Sequence, residues 1–545
     1  MDSVAMDITP MLARMPFKGV LAVVVALTLV VVSMLTNNNN KASLCNWLPT
    51  RKPFTDANGR KVKMLKENTR YTRFSHGPQV SEAGRDIAGD EPFLIRNGPF
   101  QELVISQPDQ LKEFCRKDAK DHTKPANMNL GDGFGQYVST FFSLRKRRKF
   151  PLTFAPPPPP PPSRLLGGAV GVQAGKKWTT MRAHFDPEFS HKASMSMVPL
   201  YSAEAVRWLT ELAQPSSSSS CSSTPSTAGG FVRNIAGACR LLPFRLIGLV
   251  TYGEAFDDKL YQQLVELNEV HDKLMLDAFF GKWNASKLYN MLPTASRRRM
   301  QSFQRTWESI NDAVILRAKT EGLRCPAEVI HRGVEAGDMS KREFLQTVDE
   351  LLFTNIDVTS TAVACLLLNI AENPDFQESL RQEMAQMKSD PSYDVQQYIA
   401  KRDVLLHYAI LESLRMRPVL WFSLPEKTAI DKEIGGYYVP SGSTVVIDWK
   451  RLNTAPVVWG DDSEMFRPER FAGMSPLSYR HAFLRFGFSR ERCLGKNISD
   501  IILKTILMAT LESYTLTPSK HSAVRKDRFT VTLDDEVEFT PIKAV

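Results

Sequence analysis

The sequence predicts a predominantly α-helical fold with a small β-sheet. Helical periodicity dominates residues 260–417, and two short β-rich pieces, IGGYYVP and STVVIDW, follow it. Helical and strand-like stretches alternate along the chain without an internal repeat. With 545 residues, of which 43% are hydrophobic and 23% charged, the chain can bury a large core as one catalytic unit or as two domains.

The amino terminus contains a long apolar run. The stretch GVLAVVVALTLVVVSML covers residues 19–35, and no charged residue follows before Lys41. A run of about 17 residues is near the lower limit for crossing a bilayer. It is longer than the apolar part of a usual signal peptide, and the asparagines after it offer no small-residue cleavage site. We therefore predict a short tail at residues 1–18 and a retained transmembrane anchor at residues 19–40.

Two segments look foreign to a packed domain. Residues 145–162 carry a basic cluster that runs into consecutive prolines, and residues 215–230 are dominated by serine. Neither can bury enough apolar surface to offset the entropy of ordering, so both are predicted to be exposed loops or disordered. The proline run is compatible with a polyproline ligand, a spacer or retained intron sequence. Residues 41–92 are predicted to be a linker and the start of a catalytic domain, which extends over residues 93–545 with these two insertions.

The chain carries an excess of basic residues. Its net charge is +10 and its pI is about 9.1, but the basic residues are spread out and no nucleic-acid-binding motif accompanies them. We predict no nucleic-acid partner. An anionic membrane surface or an acidic protein fits better, because long-range potential attracts both without a specific groove.

The seven cysteines are odd in number and widely scattered, without CxxC or Cys/His pairing. This pattern excludes a disulfide framework and a zinc site. Free cysteines imply a reducing compartment for the main body of the protein.

The strongest local signal surrounds Cys493. The run is Phe486-Gly487-Phe488-Ser489-Arg490-Glu491-Arg492-Cys493-Leu494-Gly495, and the helical pattern KNISDIILKTILMATLESY follows at once. A helix amino terminus with nearby cations is expected to favour the Cys493 thiolate. Gly487 and Gly495 would allow a tight turn and a close approach to a flat ring. The plainer alternative is a surface cysteine at a helix start.

A group of ionic residues lies upstream. Glu412 and Arg415, in AILESLRMRP, are three positions apart on an apolar helix, so both heads project from one face. An ion pair in such a helix is costly unless further donors complete it, and Arg470 in FRPERF offers one. The alternative is a solvated helix pair, which is the usual origin of an ExxR pattern.

A long helix is predicted over residues 341–372. Ser340 and Glu343 form an S-x-x-E capping box at its start, and Pro374 follows its end. Its central sequence, LLFTNIDVTSTAV, places Thr354, Asn355, Asp357 and Thr359 among apolar residues. A hydrogen-bonded helix interface is the plainer explanation of these polar groups.

In this order, the motifs resemble the cytochromes P-450. ExxR, FRPERF and FGxxxxxCxG are similar to the family's K-helix, PERF segment and cysteine loop. Trp178-Thr179-Thr180-Met181-Arg182 is similar to its C-helix WxxxR, and LLFTNIDVTSTAV to its I-helix. The pieces NPDFQESLRQEM, VPSGSTVV and WGDDSEMFRPERF are similar to later segments. The resemblance covers residues 93–545 apart from the insertions.

The resemblance implies a triangular helical body that encloses heme b. It implies that Cys493 is the axial iron ligand and that Trp178 and Arg182 contact a heme propionate, while Glu412, Arg415 and Arg470 form a structural triad behind the heme. The resemblance also implies cofactor contacts from the cysteine loop, at Phe486, Gly487 and Gly495.

Four positions depart from the family pattern. Val358 stands where the family has an I-helix threonine, and Thr359 comes one residue, or about 100 degrees of rotation, later. Proton delivery would then depend on Asp357, Asn355, Thr359, bound water or a substrate hydroxyl. Ser489, Glu491 and Glu426 replace a glycine and two basic residues. We expect Arg490, Arg492 or Lys427 to take over the propionate contacts, or those propionates to be more solvated.

The implied activity is an NADPH- and O2-dependent monooxygenase that acts on a small apolar molecule. Electrons would come from a membrane-bound flavoprotein reductase, attracted by Arg485, Arg490, Arg492 and Lys496. The diverged I-helix and the DWKRLN phrase are most similar to fungal secondary-metabolism enzymes, and the anchor fits the endoplasmic reticulum with the catalytic domain in the cytosol. Two alternatives are a heme-thiolate isomerase or dehydratase that does not use O2, and a membrane-bound interaction protein without catalysis.

Overall fold

The computed structural model describes residues 54–69, 72–97, 100–124, 165–214, 229–280, 294–487, 492–521 and 530–542. The predicted anchor at 19–40 and the insertion at 145–162 lie outside these residues, as does the insertion at 215–230 except for its last two glycines. One compact unit spans Thr55–Val545. It therefore includes secondary structure that precedes residue 93.

Helices dominate the described residues, and their ends follow local sequence signals. In the helix Ala295–Glu321, the side chain of Thr294 accepts a hydrogen bond from the Arg297 N–H, and Gly322 ends the helix in the left-handed conformation. Its buried residues include Met300, Phe303 and Trp307, at the spacing that places side chains on one helix face.

The helices are α1 Thr72–Ser75, α2 Gly77–Ala88, α3 Pro108–Cys115, α4 Gly175–Phe185, α5 His191–Ser196, α6 Val198–Ala213, α7 Ile235–Cys239, α8 Leu241–Tyr252, α9 Asp258–Phe280, α10 Ala295–Glu321, α11 Pro326–Glu335, α12 Lys341–Asp349, α13 Asn355–Ala371, α14 Pro374–Ser389, α15 Val395–Ala400, α16 Leu405–Met416, α17 Trp449–Asn453, α18 Pro456–Trp459 and α19 Lys496–Ser513.

The strands are β1 Thr55–Asp56, β2 Lys63–Asn68, β3 Phe93–Asn97, β4 Phe100–Ile105, β5 Phe231–Asn234, β6 Glu426–Lys427, β7 Lys432–Ile434, β8 Tyr437–Val439, β9 Thr444–Ile447, β10 Tyr514–Lys520 and β11 Glu536–Pro541.

The strands form three small sheets rather than one. Their orders are β2-β3-β4-β9-β6, β10-β11-β5 and β1-β8-β7. In the largest sheet β9 pairs parallel with β4 and antiparallel with β6, so Val446 lies opposite Val104. The prediction of a mainly α fold with a small β component is confirmed, but strands distant in sequence divide the β component among separate sheets.

The predicted long helix is present but is interrupted. Ser340 and Glu343 make the predicted capping box at the start of α12, and α13 ends at Ala371 shortly before Pro374. Between them, residues Glu350–Thr354 form a π-helical turn. Such a turn holds an extra residue and shifts the rotational phase of the side chains after it, and single π turns are frequent at functional sites. The sequence pattern did not reveal this interruption.

Helix α19 lies in the core of the unit. Most of its residues are buried, and it packs against α6, α13 and α16. A helix that is apolar on all sides is expected at such a central position. The loop before α19, which carries Cys493, therefore projects from a rigid element.

Two described helical stretches are long and apolar enough to cross a membrane by composition alone. They are Ile235–Ala255 and Lys341–Ala371, and 67% and 78% of their most apolar windows are buried inside the protein. This burial is typical of core helices.

Candidate cofactor site

Cys493 lies in a closed loop just before α19. Its backbone N–H donates to the Phe486 carbonyl over 3.0 Å. Gly487 has a φ of 81°, a conformation that side-chain-bearing residues rarely adopt, so a glycine is required there. Gly495 has an ordinary helical φ of −70°. A Cβ at Gly495 would lie 3.7 Å from the Cys493 Sγ, in normal contact, so the turn itself does not require this glycine. Residues 488–491 lie outside the described part of the loop.

The Cys493 side chain is accessible to solvent, yet the surrounding protein still desolvates its sulfur. This desolvation raises the pKa of the Cys493 thiol, and the negative charge of Glu350 acts in the same direction. The Gly495 N–H and the charge of Arg182 lower the pKa by less. The sequence suggested that the helix start and nearby cations favour a thiolate. In the structure, desolvation outweighs these contributions, so they do not by themselves produce one. Coordination of a metal cation would do so, because a coordinating thiol is deprotonated.

Helix α4 connects to the cysteine loop through Arg182. The Arg182 Nη1 donates to the Arg492 carbonyl over 2.8 Å, and its Nε donates to Asp186 over 2.6 Å. The guanidinium lies over the ring of Trp178, 5.1 Å from its centroid. A tryptophan and an arginine four positions apart lie on one helix face. Together they present an aromatic ring and a cation beside Cys493.

Glu412, Arg415 and Arg470 meet in one buried cluster. The Glu412 carboxylate accepts hydrogen bonds from Arg415 at 2.7 and 2.8 Å and from the Arg470 Nε at 2.9 Å. The Arg467 backbone N–H donates to the same carboxylate over 2.9 Å. Glu412 and Arg415 are fully buried, and the Arg470 side chain is 3% exposed. The ExxR motif is thus not a solvated helix pair in this protein.

Backbone carbonyls satisfy the remaining guanidinium groups of this cluster. The acceptors are the carbonyls of Asn453 and Ser463 for the Arg415 Nη1, and those of Trp459, Asp462 and Met465 for Arg470. Buried charges are tolerated when their hydrogen-bonding capacity is used in this way. The cluster therefore joins α16 to the segment 453–470.

Asp357, on α13, is held by an arginine that no sequence motif marks. The Arg240 Nη1 donates to the Asp357 Oδ1 over 2.7 Å, and the Arg240 Nη2 also contacts Asp272 on α9. Arg240 lies at the junction of α7 and α8. One cation thus connects three helical regions.

The other polar residues of the α13 region differ in their surroundings. Thr359 is buried, and Asn355 and Val358 are half-buried. Thr354 closes the π turn, and its Oγ1 is buried without a hydrogen-bond partner in the described part of the chain. A buried hydroxyl of this kind indicates a place for a water molecule or a ligand oxygen.

The carboxylate of Glu426 has polar partners. Its carboxylate lies 3.3 Å from the His122 Nδ1 and 3.5 Å from the Lys124 Nζ, and His122 also contacts Asp118 at 3.1 Å. Antiparallel backbone pairing of Thr123 with Lys427 brings these segments together. His122 and Lys124 thus come to Glu426 from a segment about 300 residues earlier in the chain.

Arg485 is committed to an internal contact. It binds both oxygens of Asp500, at 2.7 and 3.3 Å, and its side chain is only 18% exposed. It also lies over the rings of Phe483 and Phe486. The expectation that Arg485 attracts an acidic partner is not supported by this geometry, whereas Arg492 and Lys496 are exposed.

Glu350 is an acid that sequence reasoning missed. Burial raises its pKa to about 7, and Asp349 acts in the same direction. A hydrogen bond from the Gly171 N–H and the charges of Lys124 and Arg182 lower it. Glu350 lies in the π turn, and its charge in turn affects the Cys493 thiol.

This environment predicts a pH-dependent stability. Because the folded-state pKa of Glu350 is above its ordinary value of 4.5, its contribution to stability is complete below about pH 4.5 and is lost as the pH rises through about 7. We expect Glu350→Gln to gain stability over the unmodified protein between pH 5 and pH 8, by at most about 3 kcal/mol. Urea unfolding of both proteins across this range measures the difference. A constant difference would contradict the prediction.

Comparison with known proteins decides the family. A family model described as Cytochrome P450 matches residues 157–537. The chain belongs to the cytochrome P450 family. This membership confirms the fold class and makes the chain a heme-thiolate oxidoreductase.

Curated relatives cover most of this cytochrome P450. It is 42% identical over 492 residues to the cytochrome P450 monooxygenase lepD of Aspergillus flavus, with 90% of each chain covered. It is 35% identical to the cytochrome P450 monooxygenase opdB of Penicillium oxalicum, over 86% of this chain and 87% of that protein. It is 36% identical to the cytochrome P450 monooxygenase apdB of Emericella nidulans, over 85% and 87%.

The residues present fit a heme. An exposed cysteine, a loop closed by a glycine with positive φ, and the Trp178 and Arg182 pair adjoin one another. A cysteine sulfur can ligate heme iron, and an adjacent cation can pair with a propionate.

Proposed function

We propose that this cytochrome P450 is a monooxygenase that inserts an oxygen atom from O2 into a small apolar molecule, or couples such a molecule oxidatively. The observation that carries the proposal is the position of Cys493. Cys493 is exposed, its loop is closed by a backbone hydrogen bond to Phe486, and Arg182 binds the carbonyl just before it.

Each residue has a distinct task in this proposal. The heme, when bound, supplies an iron centre that activates O2. Cys493 binds the metal through its sulfur, while Trp178 and Arg182 bind a propionate, and Phe486, Gly487 and Gly495 shape the loop. The triad of Glu412, Arg415 and Arg470 keeps the segment before the cysteine loop in place.

Proton delivery would depend on α13. Asp357 lies in the first turn of α13, with Asn355 and Thr359 two positions before and after it, and its carboxylate would take part in the proton relay. Arg240 orients that carboxylate, because its guanidinium also reaches Asp272 and is fixed at two points.

Replacing Arg240 by glutamine is expected to uncouple turnover. Without its fixed partner, the carboxylate of Asp357 is no longer held in one orientation, so proton delivery slows. We expect the fraction of NADPH that yields product to fall about tenfold, within the range of general acid–base effects, and peroxide release to rise. Measurement of NADPH, product and peroxide together tests this.

Arg245→Gln provides the matched control for that variant. Arg245 lies in α8 and pairs with Glu204 and Asp258 rather than with Asp357. Equal uncoupling in both variants would show that the loss is general, and the role of Arg240 would be wrong.

The proposed reaction is tested by reconstitution with a flavoprotein reductase, NADPH and O2. Product formation that requires all three is expected. Val358, in place of the family threonine, favours one second candidate: an isomerase or dehydratase that uses the same heme. Product formed without NADPH, reductase and O2 would select that second activity.

The surroundings of the enzyme complete the proposal. The apolar run at residues 19–40 would anchor the chain in the endoplasmic reticulum membrane, with the catalytic domain in the cytosol. The exposed residues Arg492 and Lys496 would attract an acidic reductase surface near the cysteine loop. Similarity to enzymes of Aspergillus and Penicillium supports a role in fungal secondary metabolism.

A further inference from the structure

Three neighbouring side chains on one helix bind the backbone that precedes α4. The Gly168 N–H donates to the Gln346 Oε1 over 2.6 Å, and the Val170 N–H donates to the Thr347 Oγ1 over 3.1 Å. The Gly171 N–H donates to the Glu350 Oε2 over 2.9 Å. The segment 165–172 is therefore fixed by side chains at the end of α12 and in the π turn.

Burial makes the Val170–Thr347 contact difficult to replace with water, whereas the contacts of Gly168 and Gly171 are partly buried. Gln346 is 5% exposed and Thr347 is fully buried. The Thr347 hydroxyl donates to the Glu343 carbonyl over 2.7 Å, which leaves its oxygen free to accept from Val170. A buried N–H that loses its acceptor retains the full desolvation penalty.

Two glycines let the segment approach this closely. A Cβ at Gly168 would lie 2.8 Å from the Gln346 Oε1, and a Cβ at Gly171 would lie 1.9 Å from the Glu350 Oε1. An alanine at position 171 would therefore displace the Glu350 carboxylate and break its hydrogen bond. The hydrogen bond between Gly171 and Glu350 can therefore be removed by substituting either residue.

The segment connects two parts of the cofactor site. It leads directly into α4, which carries Trp178 and Arg182, and its residues Leu165 and Ala169 are buried in the core. Glu350 begins the π turn that leads into α13. Arg182 is near enough for its charge to lower the pKa of Glu350.

We propose that Glu350 is a positioning residue for the cofactor. By accepting the hydrogen bond from Gly171, it fixes the segment 165–172 and so determines where α4 presents Trp178 and Arg182. This inference rests on the proposed function for its heme contacts, but the hydrogen bond and the order of α4 are measurable without turnover.

The test compares Glu350→Leu, Gly171→Ala, their double variant and Glu350→Gln. Amide hydrogen exchange in residues 165–185 reports the order of the segment and of α4, and transfer of heme to excess apomyoglobin reports cofactor retention. We expect each of the first two variants to speed local exchange and heme loss about tenfold, as for the loss of one hydrogen bond. Glutamine keeps an acceptor oxygen, so Glu350→Gln is expected to exchange and to lose heme no faster than the unmodified protein.

The double variant shows whether the two single substitutions remove the same hydrogen bond or disturb the protein independently. Both single variants remove the same hydrogen bond, so the double variant is expected to be no worse than either one. Glu335→Leu, at an exposed carboxylate of α11, is the control and should change neither measurement.

Three outcomes would overturn the inference. They are additive effects in the double variant, faster exchange or heme loss in Glu350→Gln, and faster exchange at 168–171 with no change in α4. If the unmodified protein binds no heme, the proposed function fails, and exchange in α4 alone then decides whether Glu350 positions that helix.

Discussion

The reduced protein is expected to give a strongly red-shifted Soret band with carbon monoxide, and replacing Cys493 by alanine is expected to abolish it. Such a band would require a thiolate on the iron, and Cys493 is the one described cysteine that is exposed. The loop itself should persist, because the hydrogen bond that closes it uses the backbone of residue 493 rather than its sulfur. Difference spectra of the purified proteins at equal concentration measure the effect.

Cys115→Ala serves as the control for this experiment. Cys115 is half-buried at the end of α3, and burial raises the pKa of its thiol to about 12, so it is a poor metal ligand at neutral pH. Its replacement should leave the band unchanged. A band that survives in the Cys493 variant would remove the basis of the proposed function.

Glu412→Gln is expected to be the most destabilising single change in the part of the chain that the structure describes. It removes the carboxylate that binds both Arg415 and Arg470, and leaves the fully buried Arg415 guanidinium without the carboxylate that pairs with it, while Arg470 keeps its ion pair with Asp462. Breaking a buried ion pair in this way typically costs about 3 to 5 kcal/mol. Urea unfolding, followed by tryptophan fluorescence because Trp459 lies 5.0 Å from the Arg415 guanidinium, measures this loss.

A less buried pair on a neighbouring element provides the comparison. Glu372 and Arg417 are 2.8 Å apart, but their side chains are 24% and 28% exposed. Solvent screens such a pair, so Glu372→Gln should cost less than about 1 kcal/mol. Similar losses of unfolding free energy in the two variants would mean that burial does not determine how much the Glu412 cluster stabilises the protein.

Sequence reasoning succeeded where a function depends on neighbours along the chain. The capping box at Ser340 and the helix after Cys493 follow from local patterns, because caps and helix faces are set within a few residues. The meeting of Glu412 with Arg470 was anticipated from the order of motifs that the family resemblance supplied. Fold class and family were predictable for the same reason.

Long-range partners could not be predicted. Arg240 reaches Asp357 across 117 positions, and Lys124 reaches Glu426 across 302. No periodicity encodes such contacts, which arise only when the chain folds back. The π turn escaped detection as well, since its residues fit an α-helical pattern equally well.

The helix start and a nearby cation do favour the Cys493 thiolate, but they do not decide the direction in which its pKa is shifted. The sequence shows cations near the sulfur but not the amount of protein that desolvates it, and desolvation outweighs the favourable contributions of Gly495 and Arg182. Burial is a property of the fold rather than of the local charge pattern.

The pairing of β4 with β9 affects how the chain folds during its synthesis. Ile105 meets Ile447 in register, so the largest sheet cannot close until the ribosome has released more than three hundred further residues. During that interval β2, β3 and β4 can pair only with one another, and the edge of β4 that later binds β9 stays open and prone to wrong pairing. Such distant closure also slows folding. Nascent chains of this enzyme should therefore depend on chaperones until late in synthesis.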